Sequence, residues 1–454
     1  MKTFLDVLRN FQAELGLAGR GLKLAWAFFI FTCFQLVFLR PYVVLLAGER
    51  ANLFSGALCA FSLILALIFG DRRGLGVNKM DVQVSLVLTA LVFISSALSA
   101  TPVVSLSRAF TLTGSALGGY WCARLLLHKE AGRRFLVWFG LALLAGVMVL
   151  LVLGVVKTGR IHTYIDSHWH PTGGRVLLLS FAPLALASAS DKLIRALGLV
   201  FLGLCYVMLV LAAKYAGMES VAIIPAILLL VAACCGPWRR RTILVLAAAV
   251  FLSSAVLGKV LIDNAFNLQK NHISVAYRVE NVYFSWRIAS DNPWLGLGLL
   301  APRESYLTDY QLHYPHLDKA HFVQWTRELR TSENSFLTFL TDLGLPFVII
   351  YTLSLLALGR RVLWLSFHDP PGLALPPLAL LLPLAGELLH LQVMDGFLQP
   401  TIAFYFHLLL GLIPEGKDIP ALVPGRLKNF CVRGLLFGAV LVAGVGVGLV
   451  WAGL

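Results

Sequence analysis

The chain alternates long apolar runs with short polar connections. A helix needs about 20 mostly apolar residues to cross a bilayer. Runs that meet or approach this length cover residues 22–39, 52–70, 82–99, 104–123, 135–156, 174–190, 197–213, 219–235, 242–261, 336–358, 372–390, 397–413 and 430–452. The runs 372–390 and 397–413 are short and rich in Pro and Gly. The pattern therefore predicts an all-α, polytopic membrane protein with 12–13 transmembrane helices. One connection, residues 262–335, is too long to be a simple link. It mixes charges of both signs with tyrosines and histidines, and stretches such as Ala320–Leu329 read as short amphipathic helices. The expected organisation is an N-terminal membrane region (1–261), a large polar loop (262–335) and a C-terminal membrane region (336–454). The first apolar run ends at Arg40-Pro41 without a small-residue cleavage site, so it reads as a signal anchor.

Composition agrees with this pattern. Of 454 residues, 59% are apolar and only 13% charged, and mean hydropathy is +0.82. Soluble domains are about 45–50% apolar and about 25% charged, so lipid must solvate part of this surface. A net charge of +14 would suggest a nucleic-acid partner in a soluble protein. No Lys/Arg-rich tail, zinc-ligand spacing or RNA-binding motif accompanies it, and nucleic acid is not an expected partner. Six of the seven cysteines are Cys33, Cys59, Cys122, Cys205, Cys234 and Cys431, and Cys235 extends Cys234 into a vicinal pair. None lies in the large loop, so no disulfide framework is implied there.

The basic residues alternate along the connections. Lys2, Arg9 and Arg20, then Arg72, Arg73 and Lys79, then Arg124, Lys129, Arg133 and Arg134 occupy every second gap. The alternation continues through Lys192 and Arg195, Arg239–Arg241, Arg360 and Arg361, and Lys417, Arg426 and Lys428. The positive-inside rule then puts the N-terminus in the cytoplasm and the large loop outside. Several basic residues fall on the outer side against that bias: Arg40, Arg50, Arg108, Lys157, Arg160, Arg175, Lys214, Arg278 and Arg287. Taken singly, each reads as a side chain snorkelling to lipid headgroups. Taken together, they form a cationic rim suited to an anionic, membrane-borne substrate.

Gly159–Arg175 (GRIHTYIDSHWHPTGGR) gathers histidines, Asp166 and two arginines between two spans. His168 and His170 with Asp166 do not match a zinc-ligand spacing, and no metal is expected. Hydrogen bonding to sugar or phosphate and a purely structural loop are the remaining readings. Tyr306, Tyr310 and Tyr314 recur every four residues, as on one helical face that stacks on sugars or belongs to an interfacial belt. Glu387 and His390 lie inside a late apolar run, where ionisable groups are functional candidates by default; the sequence assigns them no role.

Arg278–Leu299 reads RVENVYFSWRIASDNPWLGLGL, and the loop ends TSENSFLTFLTDLGLPFVIIY. These segments resemble the O-antigen ligase and O-antigen polymerase superfamily of polytopic glycosyltransferases. The shared pieces are Arg278, Tyr283, Pro293, Gly296 and Gly298, then Glu333, Asn334, Asp342 and Gly344, with the resemblance covering mainly residues 160–350 and the helix count. It implies transfer of a glycan from undecaprenyl diphosphate to an acceptor sugar or glycolipid hydroxyl at the periplasmic face of the bacterial inner membrane. No cofactor and no metal is implied. Two positions depart from the ligase pattern: Glu333 stands where ligases carry His, and Lys214 where they carry Arg. Lys keeps the charge but loses the bidentate fork.

That chemistry needs a base for the acceptor hydroxyl, cations for the departing diphosphate and a platform for sugars. Glu333, at the start of an apolar helix, is the candidate base, or equally an acidic residue favouring the helix dipole. Arg278 and Lys214 are the candidate diphosphate cations. The alternatives are a salt bridge of Arg278 to Glu280 or Asp291 and snorkelling of Lys214. Arg175, Arg287 and Arg330, with His168, His170, His321, Asn334 and Tyr215, are the candidate substrate contacts, and Arg303 is a weaker cation of the same kind. Pro293, Gly296 and Gly298 read as turn formers. A transporter or flippase of lipid-linked glycans is the rival class, and a non-catalytic scaffold a further one. Charges concentrated at the outer ends, without inverted repeats, disfavour transport.

Overall fold

The computed structural model describes residues 2–40, 43, 44, 48, 50–70, 79–158, 169–216, 268–314, 317–332, 334–368, 375–391 and 396–414. The expected spans 219–235, 242–261 and 430–452 lie outside them. Among the described residues there is no strand. An amphipathic helix α1 (Lys2–Leu17) precedes α2 (Arg20–Phe34), which widens into a π-helical turn over Gln35–Leu39. The membrane region continues with α3 (Arg50–Phe69), α4 (Lys79–Ala97), α5 (Pro102–Leu126), α6 (Glu130–Thr158), α7 (Trp169–Leu179), α8 (Phe181–Ala187) and α9 (Lys192–Ala216). The large loop folds into α10 (Leu268–Asp291), α11 (Glu304–Thr308) and α12 (Lys319–Leu329). The chain then returns through α13 (Ser335–His368), α14 (Pro377–His390) and α15 (Pro400–Gly411). Among the described residues, six helices are long and apolar enough to cross a membrane: Arg20–Leu39, α3, α4, and the apolar parts of α6, α9 and α13. The chain is a multi-pass membrane protein.

At its centre stands α5, packed on α3, α15 and α4. Helices in lipid gain little from burying apolar surface against each other, so close backbone approach and van der Waals contact hold them. The sequence of α5 supplies that on one face. A methyl group built on Gly114 would lie 2.7 Å from the Gly56 carbonyl oxygen, and one on Gly118 2.8 Å from that of Cys59. Gly119 and Gly411 meet the carbonyls of Phe404 and Tyr120 in the same way on the α15 side. Ser105, Thr111 and Ser115 share the buried surface of the helix.

The expected span 174–190 is instead two short helices. Pro183 has no N–H for the carbonyl of Leu179, and Ser180 turns its hydroxyl onto the Leu177 carbonyl at 2.6 Å, so the helix breaks at Ser180. The expected span 336–358 is part of a longer helix that runs to His368, with a break at Gly344 (φ 81°). The basic residues Lys79 and Arg124 mark one common end of the bundle. There Arg124 lies 3.5 Å from Asp81, and Tyr120 donates to Asp81 at 2.7 Å.

Gly118→Val is expected to destabilise the bundle by about 1–3 kcal/mol, the usual cost of overpacking. A melting curve of the detergent-solubilised protein checks this; an unchanged transition would mean that α3 and α5 can separate freely.

Candidate functional site

The site is built on the break in α13. Pro346 lacks the N–H that the Asp342 carbonyl would otherwise accept, and Gly344 turns the backbone away from the helix. The turn after α10 fills the gap. Leu297 donates to the Thr341 carbonyl at 3.0 Å, Gly298 to the Asp342 carbonyl at 2.8 Å, and Leu345 back to the Pro293 carbonyl at 2.7 Å. Ser95 of α4 places its hydroxyl 2.5 Å from the Leu295 carbonyl and 2.7 Å from that of Asp342. Gly296 and Gly298 adopt positive φ (61° and 90°), and any side chain on Gly296 would overlap the Asp342 carbonyl. The P-x-x-G-x-G and D-x-G segments are thus two halves of one clasp.

Inside the clasp sits a buried ion pair. Arg303 Nη2 lies 2.9 Å from Asp342 Oδ1 and 2.9 Å from Thr341 Oγ1, and its Nη1 lies 3.3 Å from Ser332 Oγ. The second carboxylate oxygen accepts from the Leu300 amide at 3.0 Å. Ser332 continues the chain of bonds to Ser285 of α10 at 2.7 Å, and Asn281 reaches the Thr331 carbonyl at 3.4 Å. The reading of Arg303 as a diphosphate cation is therefore corrected. It is 3% exposed, and its charge is committed to Asp342.

Around α10 the loop has a core of its own, made of Tyr277, Phe284, Ile288, Leu307, Tyr310, Leu317 and Phe322. Glu280 pins this core together. It is buried and accepts from the amides of His313 and Tyr314, from the Tyr310 hydroxyl at 2.7 Å, and lies 3.0 Å from His313 Nδ1. Burial opposes its ionisation most strongly. The bonds from His313, Tyr310 and the Tyr314 amide together outweigh burial and hold the carboxyl below its usual range. The same contacts push the Tyr310 hydroxyl up, through burial first and then the Glu280 bond and charge. Tyr306, Tyr310 and Tyr314 do not share a helical face, which corrects the expectation from their spacing. Only Tyr306 lies in α11, and Tyr310 is buried between Phe284 and Phe322.

The remaining candidates fall into three groups. Glu333 and His168 lie outside the described residues, as do the side chains of Lys214 and Tyr215 in α9, Arg278 in α10 and His170 in α7. Arg278 nevertheless stands one turn before Asn281, on the helix that holds Thr331 and Ser332. Asn334, just after Glu333, accepts from the Leu337 amide at 3.0 Å and so caps α13. A second group lies under this corner. Ser335 donates to the Leu391 carbonyl at 3.0 Å, which joins the start of α13 to the end of α14. There Glu387 and His390 are buried with Nδ1 and Oε1 3.3 Å apart, and Gly174 packs on the Glu387 carboxylate beside the buried Arg175. The third group is exposed. Arg287 is on the outer face of α10, His321 is 5.1 Å from the Tyr277 ring, and Arg330 ends α12 with φ 52°.

Residues 197–352 match the family model described as O-antigen ligase. That match supports the resemblance of this segment to the O-antigen ligase and polymerase superfamily. No curated protein matches the chain. The matched segment runs from α9 through the whole clasp into α13, so Lys214, Arg278, Arg303, Asn334 and Asp342 all fall within it, whereas Arg175, Glu387 and His390 do not. Sequence reasoning missed Asn281, Ser285 and Ser332 as supports of the corner. Their small polar side chains at helical spacing facing T-S-E-N were the available signal.

Asp342→Ala would strand the buried Arg303 charge and is expected to cost about 3–5 kcal/mol. The double variant Arg303→Met/Asp342→Leu should recover much of it, and equal melting temperatures for the single and double variants would contradict the pairing. For Glu280, whose folded value is depressed, stability is complete above the ordinary carboxyl value of 4.5 and is lost as pH falls through the lowered value. Hydrogen exchange across residues 306–323, corrected for intrinsic rates, should show protection constant above pH 4.5 and falling only below it in the wild type. In Glu280→Gln the protection should not depend on pH.

Proposed function

We propose that the protein is a glycosyltransferase of bacterial surface polysaccharide biosynthesis, with its loop on the periplasmic side of the inner membrane and its N-terminus in the cytoplasm. The donor is a glycan on undecaprenyl diphosphate, and the acceptor is a hydroxyl of a second glycan or glycolipid. The observation that carries this reading is the O-antigen ligase match over residues 197–352, which spans the segment that the Arg303–Asp342 clasp ties to α10.

In the proposed reaction the acceptor oxygen attacks the anomeric carbon of the donor sugar and the bond from that carbon to the phosphate oxygen breaks. Glu333 takes the hydroxyl proton. Arg278 and Lys214 stabilise the diphosphate that leaves with the electron pair. Arg175, Arg287, Arg330, His168, His170, His321, Asn334 and Tyr215 are the proposed contacts for the glycan and phosphates. Glu333 in place of the ligase His favours polymerisation over ligation to lipid A–core.

Reconstituted protein given a lipid-linked repeat unit should build a ladder of longer glycans on the carrier, and a pool that changes leaflet without growing would replace the transferase with a flippase. Glu333→Gln is expected to lower the rate about 10²–10⁴-fold, the usual range for a general base. Arg278→Ala should lose transfer while inserting normally. A full-length ladder from either variant would remove that residue from the mechanism.

A further inference from the structure

The second half of α10 has one side that the loop core does not use. Phe284 and Ile288 turn into that core. Asn281 and Ser285 turn to the Thr331 carbonyl and the Ser332 hydroxyl. Tyr283 lies ring on ring with His313 at 4.2 Å. What remains is Val282, Trp286 and Ser290, one turn apart and all exposed. The Asn292 amide donates to the Ile288 carbonyl at 3.0 Å and the Gly296 amide to that of Asn292 at 3.1 Å, so helical winding continues past Asp291. Trp294 therefore follows Ser290 at the same spacing. Trp286 is 64% exposed and Trp294 73%. Ser290 donates its hydroxyl to the Trp286 carbonyl at 2.9 Å, so it adds carbon to this side. The result is an apolar strip bordered by the exposed Arg287 and Asp291.

The strip meets the membrane helices at Trp294. Leu345 of α13 donates to the Pro293 carbonyl at 2.7 Å, and Ser95 of α4 donates to the Leu295 carbonyl at 2.5 Å. Trp294 thus stands between the break in α13 and the end of α4. On α13, Leu345, Ile349, Leu353 and Leu356 are exposed at helical spacing. On α4 and its last turn, Leu86, Ala90, Ile94 and Leu98 are exposed at every fourth position. Both helices are long and apolar enough to cross a membrane, so these rows are the surfaces they offer to lipid. The two rows converge on Trp294, and the strip on α10 continues them into the loop.

Exposed apolar surface that is continuous over several elements marks an interaction site. Tryptophan is favoured at the boundary of hydrocarbon and water, where its ring meets apolar chains and its N–H stays wet. We propose that Val282, Trp286, Ser290 and Trp294 lie in the headgroup layer of the bilayer that the spans cross, so that α10 rests on the membrane surface. The partner is the lipid surface itself. Arg287, beside Trp286, then reaches lipid phosphates while its stem covers the edge of the strip. The proposal adds to the lipid-linked donor suggested above the depth at which α10 meets it, and it stands without that reading.

The test uses the full-length protein in nanodiscs of phosphatidylethanolamine and phosphatidylglycerol. p-Azidophenylalanine replaces Trp286 or Trp294 and, as a control on the exposed side of α12, Lys319. Each is coupled to a small fluorescent dye. Dye at 286 and at 294 should lose roughly half or more of its emission to lipids that carry a nitroxide on the headgroup, and iodide should quench it about fivefold less than dye at 319. Position 282 takes the label should the change at 286 disturb folding. Iodide quenching equal to that at 319 would overturn the proposal and leave the indoles as a platform in water. Shielding from both quenchers would overturn it too, since a protein surface such as a second copy would then cover the strip. No glycan is present in this measurement, so a failure of glycan transfer would end the transferase reading while leaving this result intact.

Discussion

The buried pair between Arg303 and Asp342 is the interaction on which the rest of the site depends. Two charges removed from water cost several kcal/mol each unless their remaining donors and acceptors are met. Here they are largely met, by Thr341, by Ser332 and by the Leu300 amide. The pair can form only because α13 is interrupted. Without Pro346 and Gly344 the helix would keep its own carbonyls, and the turn from Pro293 to Leu300 would have nothing to bind. The proline and the glycines therefore create the acceptor sites that the loop then fills, and the ion pair locks the loop in place.

From this pair, order passes outward to Ser332, Asn334 and Ser335. Ser332 is held by Arg303 and Ser285, Asn334 caps α13, and Ser335 is tied to the end of α14. The loop core around Glu280 is a separate unit, held by aromatic packing and one buried carboxylate, and it meets the membrane helices through α10.

α5 serves two purposes with two faces. Its glycines meet α3 and α15 backbone to backbone, while Leu112, Thr113 and Leu117 border an apolar cavity between α4, α5 and α13. The close packing on one side holds the helix where the other side can leave space.

Much of the architecture was legible in the residues alone. Hydropathy is a local property and a membrane imposes one length on every span, so α2, α3, α4, α6 and α13 follow from their apolar runs, and α12 from its amphipathic pattern. The family resemblance, carried by the order of the Pro, Gly and acidic positions, was also present in the sequence. The tertiary structure decided the rest. The burial of Tyr310 and the commitment of Arg303 to a residue 39 positions away depend on neighbours distant in the chain. A spacing of four tyrosine positions or a lone arginine carries no record of which partner folding will bring to it. The sequence by itself determined that the chain crosses a membrane many times around one polar loop. Only the fold decided which charges are spent on holding that loop, because a charge is committed or left for a substrate according to what lies within about 3 Å of it.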